Sequence, residues 1–256
     1  MAMRGRRPPG ILPASPTSGS SPPLADGSQR VESVGMDTDA LIEWFFSAAH
    51  QRAELELEAR SLVTTWRWLA GSGNPFDPTP LWAVRRGIRP AKETRAGTPG
   101  TSSVPTLEVG LGADGQALLE LSHAGGSATP FSKIWLPRPG GLVGVAFQQA
   151  AFGAPLSVAW LSLDGEARLV GTEVWGSTAG WSSAAPSSAE RTAACQPPFV
   201  SHFRERYTWA EGRLVHVEVE SLIPQFTFLQ ELEYGARGGV KVFQIDHGKR
   251  RPAGKA

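Results

Sequence analysis

Three short segments constrain this chain more than any other feature. They are Gly112-Ala113-Asp114-Gly115-Gln116-Ala117-Leu118, Leu163-Asp164-Gly165-Glu166-Ala167-Arg168-Leu169 and Trp209-Ala210-Glu211-Gly212-Arg213-Leu214. Each sets an acid–glycine pair between two apolar runs. Both residue types tolerate positive φ, which tight hairpin turns demand, so each segment predicts two antiparallel strands joined directly. The runs between such turns predict strands at 106–111, 116–122, 132–136, 142–148, 156–163, 166–175, 200–209, 213–222, 226–234 and 240–245. Successive hairpins of this kind build an antiparallel sheet. Open twisted sheet and partly closed barrel both fit the pattern.

The stretch 203–234 carries enough alternation to predict register. Val215, Val217 and Val219 alternate with Leu214, His216, Glu218 and Glu220, so the valines mark a hidden face. A turn at Glu211-Gly212 sets Trp209 opposite Val215, Tyr207 opposite Val217 and Glu205 opposite Val219. The other face then pairs Thr208 with His216, Arg206 with Glu218 and Arg204 with Glu220. A slip of one residue would drive Arg206 among the valines. A short turn at Pro224-Gln225 sets Phe228 opposite Ser221, Leu232 opposite Val217 and Tyr234 opposite Val215. Glu231 and Glu233 then flank Glu218 and His216.

Ahead of the strands, apolar residues at Leu41, Phe45, Ala48, Leu55, Ala59, Leu62, Trp66 and Leu69 recur at steps of about three and four. They predict one helix over 38–70, capped by Asp37 or Asp39 and stopped by Gly71 and Pro75, with its stripe on the core. The fold class expected is α+β: mainly antiparallel sheet, with one long N-terminal helix packed on it. Residues 1–35 are rich in Pro, Ser and Gly and predict a disordered tail. Met36 offers an alternative start. Residues 36–248 form the expected single domain, with a loop over 72–105, and 249–256 a frayed basic tail. Leu81-Trp82-Ala83-Val84 predicts a short strand inside the first loop. The segment 176–198 predicts a long exposed loop.

The stretch Tyr207-Thr208-Trp209-Ala210-Glu211-Gly212-Arg213-Leu214-Val215 resembles the YD repeat of bacterial rearrangement-hotspot proteins. Tyr207, Trp209, Gly212, Arg213 and Leu214 carry the resemblance, while Glu211 and the missing Tyr-Asp pair depart from it. The resemblance implies structural hairpins and brings no catalytic residue.

Chemistry is sparse. His216, Glu218, Glu231 and Glu233 converge on one predicted sheet face, where they offer a divalent-metal or acid–base site. The competing expectation is a cross-strand charge ladder, in which Arg204 and Arg206 offset Glu218 and Glu220 and the whole set is an interaction surface. Cys195 with His202 or His216 is a weaker nucleophile–base candidate, set in an Ala/Pro-rich context. His50 reads as a helix-surface residue. His123 precedes Gly125-Gly126, which lacks the spacing of a phosphate loop. His247 belongs to the basic tail with Lys249, Arg250 and Arg251. Trp175 and Trp181 flank the Ser-rich loop and read as core anchors. Arg85, Arg86, Arg89, Lys92 and Arg95 read as a solvated loop, because no aromatic residues interleave them to stack bases.

Composition narrows the rest. A formal net charge of +1 over 256 residues gives no global field for nucleic acid or anionic membrane. The single Cys195 excludes an intrachain disulfide framework and a multi-cysteine zinc site. No apolar stretch nears the roughly 20 residues of a membrane helix, and the basic start lacks the apolar core of a signal peptide. These features predict a soluble, cytoplasmic, bacterial-type protein with no cofactor. A non-catalytic interaction module of immunity or scaffold type, bound to another protein, is the first expectation. A metal-dependent or acid–base enzyme and a relative of extracellular YD-repeat proteins are the alternatives.

Overall fold

A computed structural model describes residues 37–97, 105–123, 131–148, 155–179 and 186–253. The disordered-tail expectation for 1–35, the alternative start at Met36 and the placement of Trp181 lie outside them. In chain order the elements are α1 (Thr38–Leu62), β1 (Thr65–Ala70), α2 (Trp82–Arg85), β2 (Lys92–Glu93), β3 (Thr106–Leu111), β4 (Ala117–His123) and β5 (Phe131–Arg138). Then come β6 (Gly141–Gln148), β7 (Pro155–Leu163), β8 (Leu169–Ser177), α3 (Ser188–Ala194), β9 (Val200–Ala210), β10 (Arg213–Ile223), β11 (Gln225–Tyr234), β12 (Val240–Asp246) and β13 (Lys249–Pro252). All strands belong to one antiparallel sheet. It runs linearly from β13 through β3 to β1 and β2. The chain is α+β, as its hairpin pattern predicts.

The predicted helix is too long at its C-terminal end. Helix α1 stops at Leu62, and Trp66 and Leu69 lie in β1. The run Val63-Thr64-Thr65 is β-branched and loses side-chain freedom in a helix. Strand β3 offers it partners instead: the Thr64 N–H donates to the Leu111 carbonyl at 2.8 Å, and Thr65 pairs with Leu111. Gly71 therefore follows a strand, not a helix. At the other end the Leu41 N–H donates to the Asp37 carbonyl, so Asp37 occupies the cap position, with no side-chain capping bond.

Side chains alternate between the two faces of the sheet. On the outer face, Leu119, Ile134, Leu136, Val143, Val145, Phe147, Val158, Trp160 and Trp175 form one buried cluster with Leu41, Phe45, Phe46, Leu55 and Ala59 of α1. Trp175 meets Phe45 edge-on at 4.6 Å, as a core anchor should. Helix α3 closes the same cluster with Ala194. It corrects the expected loop over 176–198. Ser187 and Glu190 make a reciprocal capping box, a start signal present in the sequence.

The segment between β1 and β2 lies on the inner face. Its Trp82 ring is 4.6 Å from Lys133 Nζ on β5, while the same one-turn helix α2 packs on β12. Seven strand steps separate β5 from β12, about 34 Å in a flat sheet. One helical turn and two side chains do not reach that far, so the sheet curves round this segment. Leu81 and Val84 join Leu142, Leu161, Tyr207, Leu214, Val217, Leu232 and Val242 in a second buried cluster. The predicted strand at 81–84 is thus a short helix, entered through Leu81 at φ 52°.

The predicted β9–β10 register holds for Tyr207–Val217, Glu205–Val219, Thr208–His216, Arg206–Glu218 and Arg204–Glu220. A bulge sets Trp209 opposite Leu214 rather than Val215. The turn uses Glu211 and Gly212, both at positive φ. The predicted β10–β11 register is two residues off: Val217 faces Gln230, Val219 faces Phe228 and Ser221 faces Phe226. The turn is the tight pair Ile223-Pro224, since Leu222 faces Gln225. An even shift keeps every side chain on its expected face. The basic tail is not frayed at its start. Lys249, Arg250 and Arg251 belong to β13, where Arg250 pairs with Ile245 and its guanidinium lies 3.4 Å over the Phe243 ring.

Candidate binding pocket

The predicted His/Glu face is present on the outer side of β9 to β11, and its four acids are shared between two arginines, Arg206 and, from β13, Arg250. Arg206 donates to Glu218 at 3.0 Å and lies 3.9 Å from Glu220. Arg250 donates to Glu231 at 3.1 Å and also contacts Glu233. His216 is exposed and faces Glu231 across the ladder. Arg204 leaves its ladder partner Glu220 and turns to Glu173 on β8, at 3.0 Å. Among the described residues no group of three His, Cys, Asp or Glu side chains is placed to hold a metal ion.

Glu173 is a second charged centre, half-covered by the start of α1. His202 Nε2 (2.7 Å), Arg204 Nη2 (3.0 Å) and Thr38 Oγ1 (2.9 Å) all meet its Oε1. Burial alone would raise the Glu173 pKa. The three hydrogen bonds outweigh it and bring it down to about 2. His202 is thereby engaged with Glu173. Cys195 is the C-terminal cap of α3, its thiol pushed up chiefly by burial. A raised thiol pKa is the opposite of what a nucleophile needs. His50 is exposed, His123 stacks on Trp68 at 5.1 Å, and His247 sits in an exposed turn.

The inner face holds what the sequence reading missed. Arg85, expected in a solvated loop, is 3% exposed. Its Nη2 donates to Glu205 Oε2 at 2.7 Å, its Nη1 to Gln230 Oε1 at 2.9 Å, and its Nε to the Pro80 carbonyl at 3.1 Å. The Tyr207 hydroxyl also donates to Glu205 and lies 3.1 Å from Thr172 Oγ1. Burial opposes the Arg85 charge, but Glu205 and Tyr207 offset that and raise its pKa. Burial, reinforced by the Glu205 charge, lifts the Tyr207 phenol well above its usual range. Farther along the same face, Asn74 donates to the buried Glu120 at 2.7 Å, and Asp77 lies 3.8 Å from Lys133. Burial raises the pKa of both acids.

Beside Arg85 the inner face opens into a pocket of about 300 Å³. Glu205, Gln230 and Arg85 form its polar end. Phe203, Val219, Phe226, Phe228, Ile223 and Pro224 form its walls. Phe226 and Phe228 stack at 6.0 Å with nearly parallel rings, and Phe226 is 49% exposed at the mouth. Ser201, Ser221 and Arg86 complete the lining. Ser221 is a buried residue. The strand alternation explains the site: Phe203 and Glu205, Val219 and Ser221, and Phe226, Phe228 and Gln230 all fall on the inner face. Comparison of the chain with protein-family models, with curated proteins and with solved structures finds no match.

Proposed function

We propose that this chain is a non-catalytic binding module whose ligand enters the inner-face pocket. A pocket of about 300 Å³ lies at the lower end of the usual range for small-molecule sites, which are mostly apolar with a few placed polar groups. The observation that carries the reading is the combination at one end of β9, β10 and β11. Six apolar walls surround a polar end whose charges are already paired. Such an end is rigid before any ligand arrives, because Arg85 is tied to β9, to β11 and to its own segment at once. Preorganisation of this kind lowers the ordering cost of binding.

The lining argues against catalysis at this site. Ser201 and Ser221 have no imidazole or amine in the lining to take their protons, and the Glu205 oxygen is engaged by Arg85 and Tyr207. No helix among the described residues is long and apolar enough to cross a membrane. The outer charged face, with its acids paired to Arg206 and Arg250, supports the charge-ladder expectation better than a metal site.

The test is binding of a neutral, environment-sensitive naphthylamine dye, read by fluorescence. The intact chain should bind it with saturation. Ser221→Trp, which fills the pocket from β10, should abolish saturable binding while far-UV circular dichroism stays unchanged. Equal dye binding by the filled variant would place the apolar site elsewhere and defeat the reading.

A further inference from the structure

We propose that the pocket's occupant is a singly charged anionic amphiphile, a small apolar body ending in one acidic group. The inference rests on the binding reading above and adds the ligand's class.

Size comes first. At about 300 Å³ the pocket lies at the lower end of the range for small-molecule sites. The walls then set polarity. Phe203, Phe226, Phe228, Val219, Ile223 and Pro224 offer no donor or acceptor from their side chains, so the bulk of the ligand is hydrocarbon.

Charge sets the head group. Three ionisable side chains line the pocket: Arg85, Arg86 and Glu205. Arg85 and Glu205 cancel at 2.7 Å. Arg86 has no carboxylate partner among the described residues, and its guanidinium lies 5.4 Å over the Trp82 ring. The lining is therefore left with one net positive charge, carried by a cation with no carboxylate partner among the described residues. A planar guanidinium matches an acidic oxygen pair. The Ser221 and Ser201 hydroxyls add neutral donors on the facing strands. A ligand cation would be repelled by Arg86, and a neutral ligand would gain nothing from its charge.

The experiment displaces the neutral naphthylamine dye from the full chain with three ten-carbon probes of equal length: decanoate, decan-1-ol and decylammonium. Decanoate should displace it about two- to fivefold more tightly than the alcohol, the ratio that an exposed ion pair supplies. Decylammonium should be weakest. Raising the salt from low to high concentration should narrow the decanoate–decanol gap, since Arg86 is exposed. In Arg86→Met, which keeps the apolar stem, the gap should vanish while far-UV circular dichroism stays unchanged. Equal displacement by alcohol and acid, or an undiminished gap in Arg86→Met, overturns the anionic inference and leaves the pocket reading standing. Absence of saturable dye binding overturns both.

Discussion

The same three strands, β9 to β11, carry opposite chemistry on their two faces. On the outer face the Arg206–Glu218 pair is 63% and 51% exposed; on the inner face the Arg85–Glu205 pair is 2% and 7% exposed. Both are arginine–carboxylate contacts at 3.0 Å or less. Water makes the difference. Outside, solvent already stabilises each ion, so pairing adds little. Inside, each ion has lost its hydration, and removal of one strands the other. Between them lies Glu173, half-covered by the first turn of α1, with side-chain exposure of 14%. One sheet thus presents a graded series in burial with the chemistry held nearly constant.

The inner member should give the largest effect. Arg85→Met removes the cation and leaves Glu205 buried among Tyr207, Gln230 and the apolar walls. The expected cost is about 3–5 kcal/mol in chemical denaturation. Adding Glu205→Gln should recover part of it, because the stranded charge is then gone. A double variant as unstable as the single would mean that Arg85 acts by packing, and the charge argument for the inner face would fail.

Glu173 should fall in the middle, and pH exposes it. Its pKa near 2 lies below the ordinary value of 4.5, so the folded state favours the ionised form. The associated stability is fully present above about pH 4.5 and is lost as pH falls through 2. The full shift corresponds to about 3 kcal/mol, and solvent screening at this partly exposed site reduces that to about 1–2 kcal/mol. Glu173→Gln should lose that amount at pH 7 and flatten the stability curve between pH 4.5 and 2. An unchanged acid limb in the variant would assign the acid sensitivity to another group.

The strands were legible because alternation and acid–glycine turns act locally. Burial of Val217 and Val219 and exposure of Glu218 follow from that pattern alone. What the pattern hid was long-range or cooperative. The three- and four-residue spacing continues through Trp66 and Leu69, so periodicity did not register the β-branched run that ends α1. Arg85 sits 120 residues from Glu205, in a segment rich in proline. One signal was nevertheless present. The predicted register already placed Glu205 on the hidden face opposite Val219, and a hidden acid requires a cation from somewhere. Residues 225–234 could not fix their own register, since a shift of two preserves both faces. The role of β13 was masked by its composition: three consecutive basic residues look solvated, yet the backbone closes a ladder and Arg250 covers Phe243.

The smallest effect belongs to the outer ladder. Glu218→Ala should cost less than about 1 kcal/mol, because the Arg206 left behind is solvated and lies 3.9 Å from Glu220, which accepts it in turn. The cost should shrink further in high salt, since exposed pairs are screened over a Debye length of about 10 Å at 0.1 M. Val217→Asp, one residue away on the hidden side, supplies the control: it sets an unpaired carboxylate at a position with no exposure and should destabilise the domain by several-fold more. Urea titration of the two variants side by side reads the difference directly. If Glu218→Ala proved the more damaging, the two faces of β10 would be exchanged, and both the inner pocket and the graded series would be lost with them.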